Sequence, residues 1–141
     1  MKSGKFWVAV LVTGVAMNVI DFVFQGMMMM SIYYSKMPDL FNVSTNPIWY
    51  LLGDFIAVLV LASVYDRVSS SFSPDWKGGA EFGTYAGILV NFPTWIFLHL
   101  MIKGFPYGLS WISTIYGIVW TIIAGAIVAA LYKKDSRSPA A

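Results

Sequence analysis

FWVAVLVTGVAMNVIDFVFQGMMMM, residues 6–30, is an apolar run broken by an amide, a carboxylic acid and a second amide: Asn18, Asp21 and Gln25. A helix needs about 20 mainly apolar residues to cross a hydrocarbon layer of ~30 Å, and this run supplies them. Working outward, three further segments qualify, at 48–65, 82–102 and 109–132. Only short connections and two tails remain. The expectation is one integral membrane domain over residues 1–141, an all-α four-helix transmembrane bundle with helices at about 7–30, 48–65, 82–102 and 109–132. Composition agrees, since 58% of residues are hydrophobic and 11% charged, where a soluble domain carries roughly 25% charged residues.

The net charge of +2 comes with no basic run and no alternation of aromatic and basic residues, which excludes nucleic acid as a partner. Cysteine is absent, so disulfides and thiolate metal sites are excluded. Lys2 and Lys5 ahead of an apolar run, with Gly14 and Ala16 spaced like a cleavage site, imitate a signal peptide. The run continues about two helical turns past Ala16, which predicts a retained first helix.

An even number of helices puts the two termini on one side. Lys2, Lys5, Arg67, Lys77, Lys133, Lys134 and Arg137 fall on that side, and Lys36 and Lys103 on the other. The positive-inside rule then predicts cytoplasmic termini, as in a bacterial inner membrane. In the connections, Asn46-Pro47 reads as a cap followed by proline at a helix start, and SSSFSPDWKGG as a polar loop. Asn42-Val43-Ser44 matches a glycosylation acceptor pattern, though three-residue patterns arise often by chance. Pro93 predicts a kink in the third helix.

The fourth helix carries Ser113, Gly117, Thr121, Gly125 and Ala129 at intervals of four, a ridge of small residues along one face. In lipid such ridges let backbones approach closely. They pack within one chain, against helices 1 and 3, or against another membrane subunit or a second copy. Gly83-x-x-x-Gly87 is a shorter version on the third helix.

Asn18, Asp21 and Gln25 share one face of the first helix with Gly14. Counting at 1.5 Å per residue, Asp21, Asn91 and Thr121 lie roughly 15–18 Å deep and Asp54 and Gln25 roughly 10 Å, so four helices place polar groups in one buried layer. A charged aspartate at the bilayer centre costs about 2.5–3.5 kcal/mol, so it requires a partner or a use. One reading is a polar clasp in which Asp21 bonds Asn18, Gln25 or Asn91. A second is a proton or cation site formed by Asp21 and Asp54, and a third is contact with a lipid-soluble ligand. No metal site is expected from the spacing of the ligating residues.

His99 stands near the end of the third helix, where it either bonds a loop carbonyl or serves as an axial ligand for haem or a pigment. Methionines 27–30 suggest a soft-metal site only superficially, because consecutive residues point around the whole helix. They read as apolar filling.

Along its whole length the chain resembles a loose group of uncharacterised small four-helix bacterial membrane proteins. The residues carrying the likeness are SIYYSKMPDL after the first helix, GGAEFGTYAG opening the third, and GIVWTIIAGAIVAALYKK closing the fourth. The resemblance implies an architecture and no site. Small multidrug transporters share the size and helix number and carry a glutamate in the first helix, where this chain has Asp21. The functional expectation is a non-enzymatic accessory or assembly subunit without a cofactor, packed against a larger membrane complex or self-associating through helix 4. The alternative is a homo-oligomeric transporter or channel for protons, cations or small amphiphiles working through Asp21 and Asp54.

Overall fold

The computed structural model describes residues 3–132; Lys2, Lys133, Lys134 and Arg137 lie outside them. The described chain is helical, without strands, and four of its helices are long and apolar enough to cross a membrane. We label these α1 (Gly4–Lys36), α2 (Ile48–Val68), α3 (Trp76–Met101) and α4 (Tyr107–Leu131).

Two helices start earlier than the apolar runs suggest, because polar caps lie ahead of them. Ser3 accepts the N–H of Phe6, so α1 begins at Gly4. Asp75 accepts the N–H groups of Lys77 and Gly78, at 2.9 and 3.2 Å, so α3 begins at Trp76 rather than near residue 82. At α2, Asn46 accepts the N–H of Ile48 at 3.0 Å, the capping role its position predicts. The turn into α4 uses Gly104 at φ 88°, a left-handed conformation that suits glycine. α3 runs on through Pro93 to Met101.

α1 changes character along its length. It is a regular α-helix over Gly4–Asp21, a π-helix over Phe22–Met29, and returns to α over Met30–Ile32 before a 3-10 turn at Tyr34–Lys36. The N–H of Met30 reaches back five residues to the Gln25 carbonyl, the wider π spacing. The widening starts at the residue after Asp21.

The interfaces are unequal. α3 and α4 form the most extensive one, followed by α1 with α2 and α1 with α4. Between α3 and α4 two ridges interlock: Gly79, Gly83, Gly87 and Asn91 on one side, Gly117, Thr121, Gly125 and Ala129 on the other. A methyl group on Gly79 would strike the Gly125 carbonyl, and one on Gly125 would strike the Gly79 carbonyl. The helix 4 ridge is therefore engaged within the chain from Gly117 to Ala129. Ser113 continues it and is buried.

α1 meets α2 through Gly14, whose missing side chain leaves room for the ring of Phe55. Gly14→Ala should overpack this contact and cost about 1–2 kcal/mol in a detergent unfolding titration. Phe55→Leu in the same chain should restore most of the loss; an unaltered Gly14→Ala variant would show that the ring moves aside freely.

What is exposed is mostly apolar. Leu11, Val15, Val19 and Phe22 on α1, and Leu89, Leu100 and Met101 on α3, stand outside the bundle. Such faces suit hydrocarbon as the surrounding solvent. Inside, Phe6, Val10, Met17, Val58, Ala62, Tyr65, Ala124 and Val128 fill the half nearer the termini. Met29, Phe105 and Leu109 anchor a second cluster at the other end. Met29 is buried while Met27 and Met28 are exposed, so the methionines distribute around the helix as consecutive residues must.

Candidate functional site

Asp21 ends the regular part of α1 and faces α4. Its Oδ1 accepts a hydrogen bond from the Tyr116 hydroxyl, and its Oδ2 accepts one from Trp120 Nε1 at 3.1 Å. Tyr116 and Trp120 are one turn apart on α4, so their polar tips reach the same carboxyl. Phe24, in the π-helical turn, stacks flat on the Tyr116 ring, with centroids 3.8 Å apart and planes 5° from parallel. This contact fixes the phenol, and the phenol in turn fixes Asp21.

The third helix at the site is α2. Asp54 of α2 comes close enough to Asp21 for the two carboxyls to act on each other, so acidic groups from two helices share one place in the bundle. The described lysines and arginines stand at 5, 36, 67, 77 and 103, at or beyond helix ends, far along the chain from the middle turns that hold the pair. The site is thus acidic, paired and lined by aromatic donors.

The rest of the expected polar layer is dispersed. Asn18 Nδ2 donates to the Gly14 carbonyl of its own helix at 2.9 Å, and Asn91 Nδ2 to the Gly87 carbonyl at 3.0 Å. The Thr121 hydroxyl bonds back to the carbonyls of Gly117 and Ile118. Gln25 accepts from the Tyr34 hydroxyl at 2.6 Å. The expected clasp of Asp21 with Asn18, Gln25 or Asn91 is therefore corrected: the amides bond within their own helices, and the hydrogen bonds to Asp21 come from α4. Asn91 and Thr121 belong to the ridge contact instead, where the Asn91 amide fills the space beside Gly117.

His99 is half-buried, with Nδ1 3.0 Å from the Phe105 carbonyl and its ring edge-on to Tyr107. It ties the end of α3 to the turn before α4, the loop-carbonyl arrangement. Among the described residues no three His, Asp or Glu side chains converge as a metal site would need.

Tyr116, Trp120 and Tyr34 are the site residues that sequence reasoning missed. Tyr116 and Trp120 lie well inside a membrane-length helix, too deep for the interfacial role of aromatic residues. A phenol or indole there needs a buried hydrogen-bond partner. That was the available signal. No family model, curated protein or solved structure matches the chain, so the geometry alone carries the functional reading.

Proposed function

We propose that this is a small membrane carrier or channel that moves protons or monovalent cations, with the Asp21–Asp54 pair as its working group and no covalent chemistry. The observation that carries this reading is the approach of two carboxyls from different helices, both half-buried within membrane-length helices, with Tyr116 and Trp120 of a third helix bonded to one of them. Ionisable groups at such depth are costly to keep and mark ion pathways or proton relays. We place the protein in a bacterial inner membrane with its termini in the cytoplasm, on the distribution of lysine and arginine.

The accessory-subunit reading has weaker support. The helix 4 ridge that motivated it is engaged by α3. One feature still favours it: the exposed apolar face of α3, with Leu89, Leu100 and Met101 more than 70% accessible. A native mass measurement in mild detergent separates the readings, since a subunit would carry its partner with it.

Reconstitution into vesicles containing a pH-sensitive dye tests the main proposal. Wild-type protein should dissipate an imposed proton or cation gradient. Asp21→Asn and Asp54→Asn should each bring the flux to the level of empty vesicles while still folding. A wild type without flux, or variants as active as the wild type, would refute it.

A further inference from the structure

The carboxyl pair has different surroundings in its two axial directions. Toward the 37–47 loop, polar groups follow one another. The exposed Tyr50 hydroxyl lies 3.0 Å from Thr45 Oγ1. Tyr34 is near enough to Tyr50 and to Asp21 to feel both electrostatically, and it donates to Gln25. Gln25 sits one turn beyond Asp21 on α1, and Tyr116 lies within electrostatic reach of Tyr34 as well as of both carboxyls. Beside this series the first turns of α2, residues 48–53, are exposed, and nothing lies within 4 Å of where a Gly53 side chain would begin.

Toward the termini the chain is closed. The Phe55 ring lies against Gly14. Below it Met17, Val58 and Ala62 are fully buried, followed by Phe6, Val10, Ala124 and Val128. The buried polar side chain on this part of α1 is Thr13, whose Oγ1 has no hydrogen-bond partner among the described residues. From Val58 to Tyr65 this apolar plug is roughly 10 Å deep at the helical rise.

We propose that in the conformation described the pair exchanges its proton with one face of the membrane, the face carrying the 37–47 loop, along Tyr50, Tyr34 and Gln25, with Phe55 on Gly14 blocking the opposite direction, so that transport requires a second arrangement of the helices. The proposal rests on the reading of Asp21 and Asp54 as a proton site. In the step, the carboxylic acid O–H breaks, the proton passes along the polar series to water at Tyr50, and one negative charge is left on the pair. Tyr34 and Gln25 are positioning residues for that path. The groups that meet the pair are Tyr116 and Trp120 from α4, with Tyr34 of α1 in electrostatic reach of Asp21, while Asn18 and Gln25 bond within α1 and Tyr50 of α2 is exposed. α3 packs chiefly on α4, and its titratable residues Lys77, Glu81, Tyr85 and His99 make none of these contacts.

The test uses the full chain in vesicles, with orientation assigned from single cysteines at Ser44 and Ser71; the chain has no cysteine of its own. Infrared spectroscopy reads the carbonyl stretch of the protonated carboxyl after a pH step on either face. A step on the loop face should change the band about tenfold faster than a step on the opposite face, and Tyr34→Phe or Gln25→Leu should slow that response by a similar factor without moving its midpoint. Phe55→Ala should speed the response from the terminal face without making the two faces equal, because the plug below the ring remains; an unchanged terminal-face rate would show that Phe55 is no barrier. Equal rates in the wild type, or a faster response from the terminal face, would overturn the proposal. A band that responds to neither face between about pH 5 and 9 refutes the proton site itself. The route is then still decided by an impermeant thiol reagent. Cysteines at 25 and 34 should react from the loop face and cysteines at 10 and 58 from neither, and the reverse pattern rejects it.

Discussion

Gly83→Ala should cost ~3 kcal/mol of stability, although it adds one methyl group to a residue inside a helix. Elsewhere in a helix the same change is favourable, because alanine has less backbone entropy to lose. At Gly83 the new carbon would overlap the Thr121 carbonyl oxygen and come within 2.8 Å of Ile122 Cα. Those are backbone atoms, which cannot rotate away as a side chain can. α3 must then draw back from α4 along the whole ridge, and many small dispersion contacts weaken together. Gly53→Ala is the matched control: that position faces open space, so the variant should gain up to ~1 kcal/mol. Unfolding in mixed micelles, followed by circular dichroism, measures the two changes. Equal stabilities would mean that the ridges do not hold the hairpin together.

The second large effect concerns Asp21. Leucine there removes the acceptor for Tyr116 and Trp120 and the partner of Asp54. Hydrogen bonds in membrane bundles average ~0.6 kcal/mol, so losing two should cost about 1 kcal/mol. Asparagine is a smaller change, but it is not silent. Its amide keeps one acceptor for two donors, so one bond is lost and the cost should be roughly half as great. A cycle combining Asp21→Leu with Tyr116→Phe should be less than additive, because the second substitution removes a donor the first has already orphaned. Strict additivity would show that the phenol and the carboxyl do not act on each other. Stability and flux then separate the roles of the same residue, since asparagine should nearly preserve the first and abolish the second.

Sequence reasoning reached the architecture because hydrocarbon imposes a length and a composition that four segments satisfy. It placed the start of α3 late because Asp75 caps the helix from within a stretch that looks like loop. The ridge on α4 was visible as a period of four, and Gly83 and Gly87 hinted at its partner. Asp21 and Asp54 were visible as misplaced carboxyls, but their contact depends on how α2 is set against α1, which the Phe55–Gly14 packing decides. The amides misled for a local reason: in a helix a side-chain amide reaches the carbonyl four residues back and needs no neighbour, as Asn18 and Asn91 do. The π-helical turn left no signal, and the Phe24 ring it carries stacks on Tyr116, a residue far away in the chain.

The unequal interfaces have a thermodynamic consequence. α3 and α4 are locked by backbone contact, whereas α1 holds α4 partly through the hydrogen bonds of one carboxyl. Asp21 therefore sits on the seam between a fixed hairpin and the rest of the chain. Anything that occupies or discharges that carboxyl alters how strongly the two parts adhere, and by reciprocity the separation of the parts alters its affinity for what it binds. Ligation and mechanical state are, at this residue, two readings of one free energy.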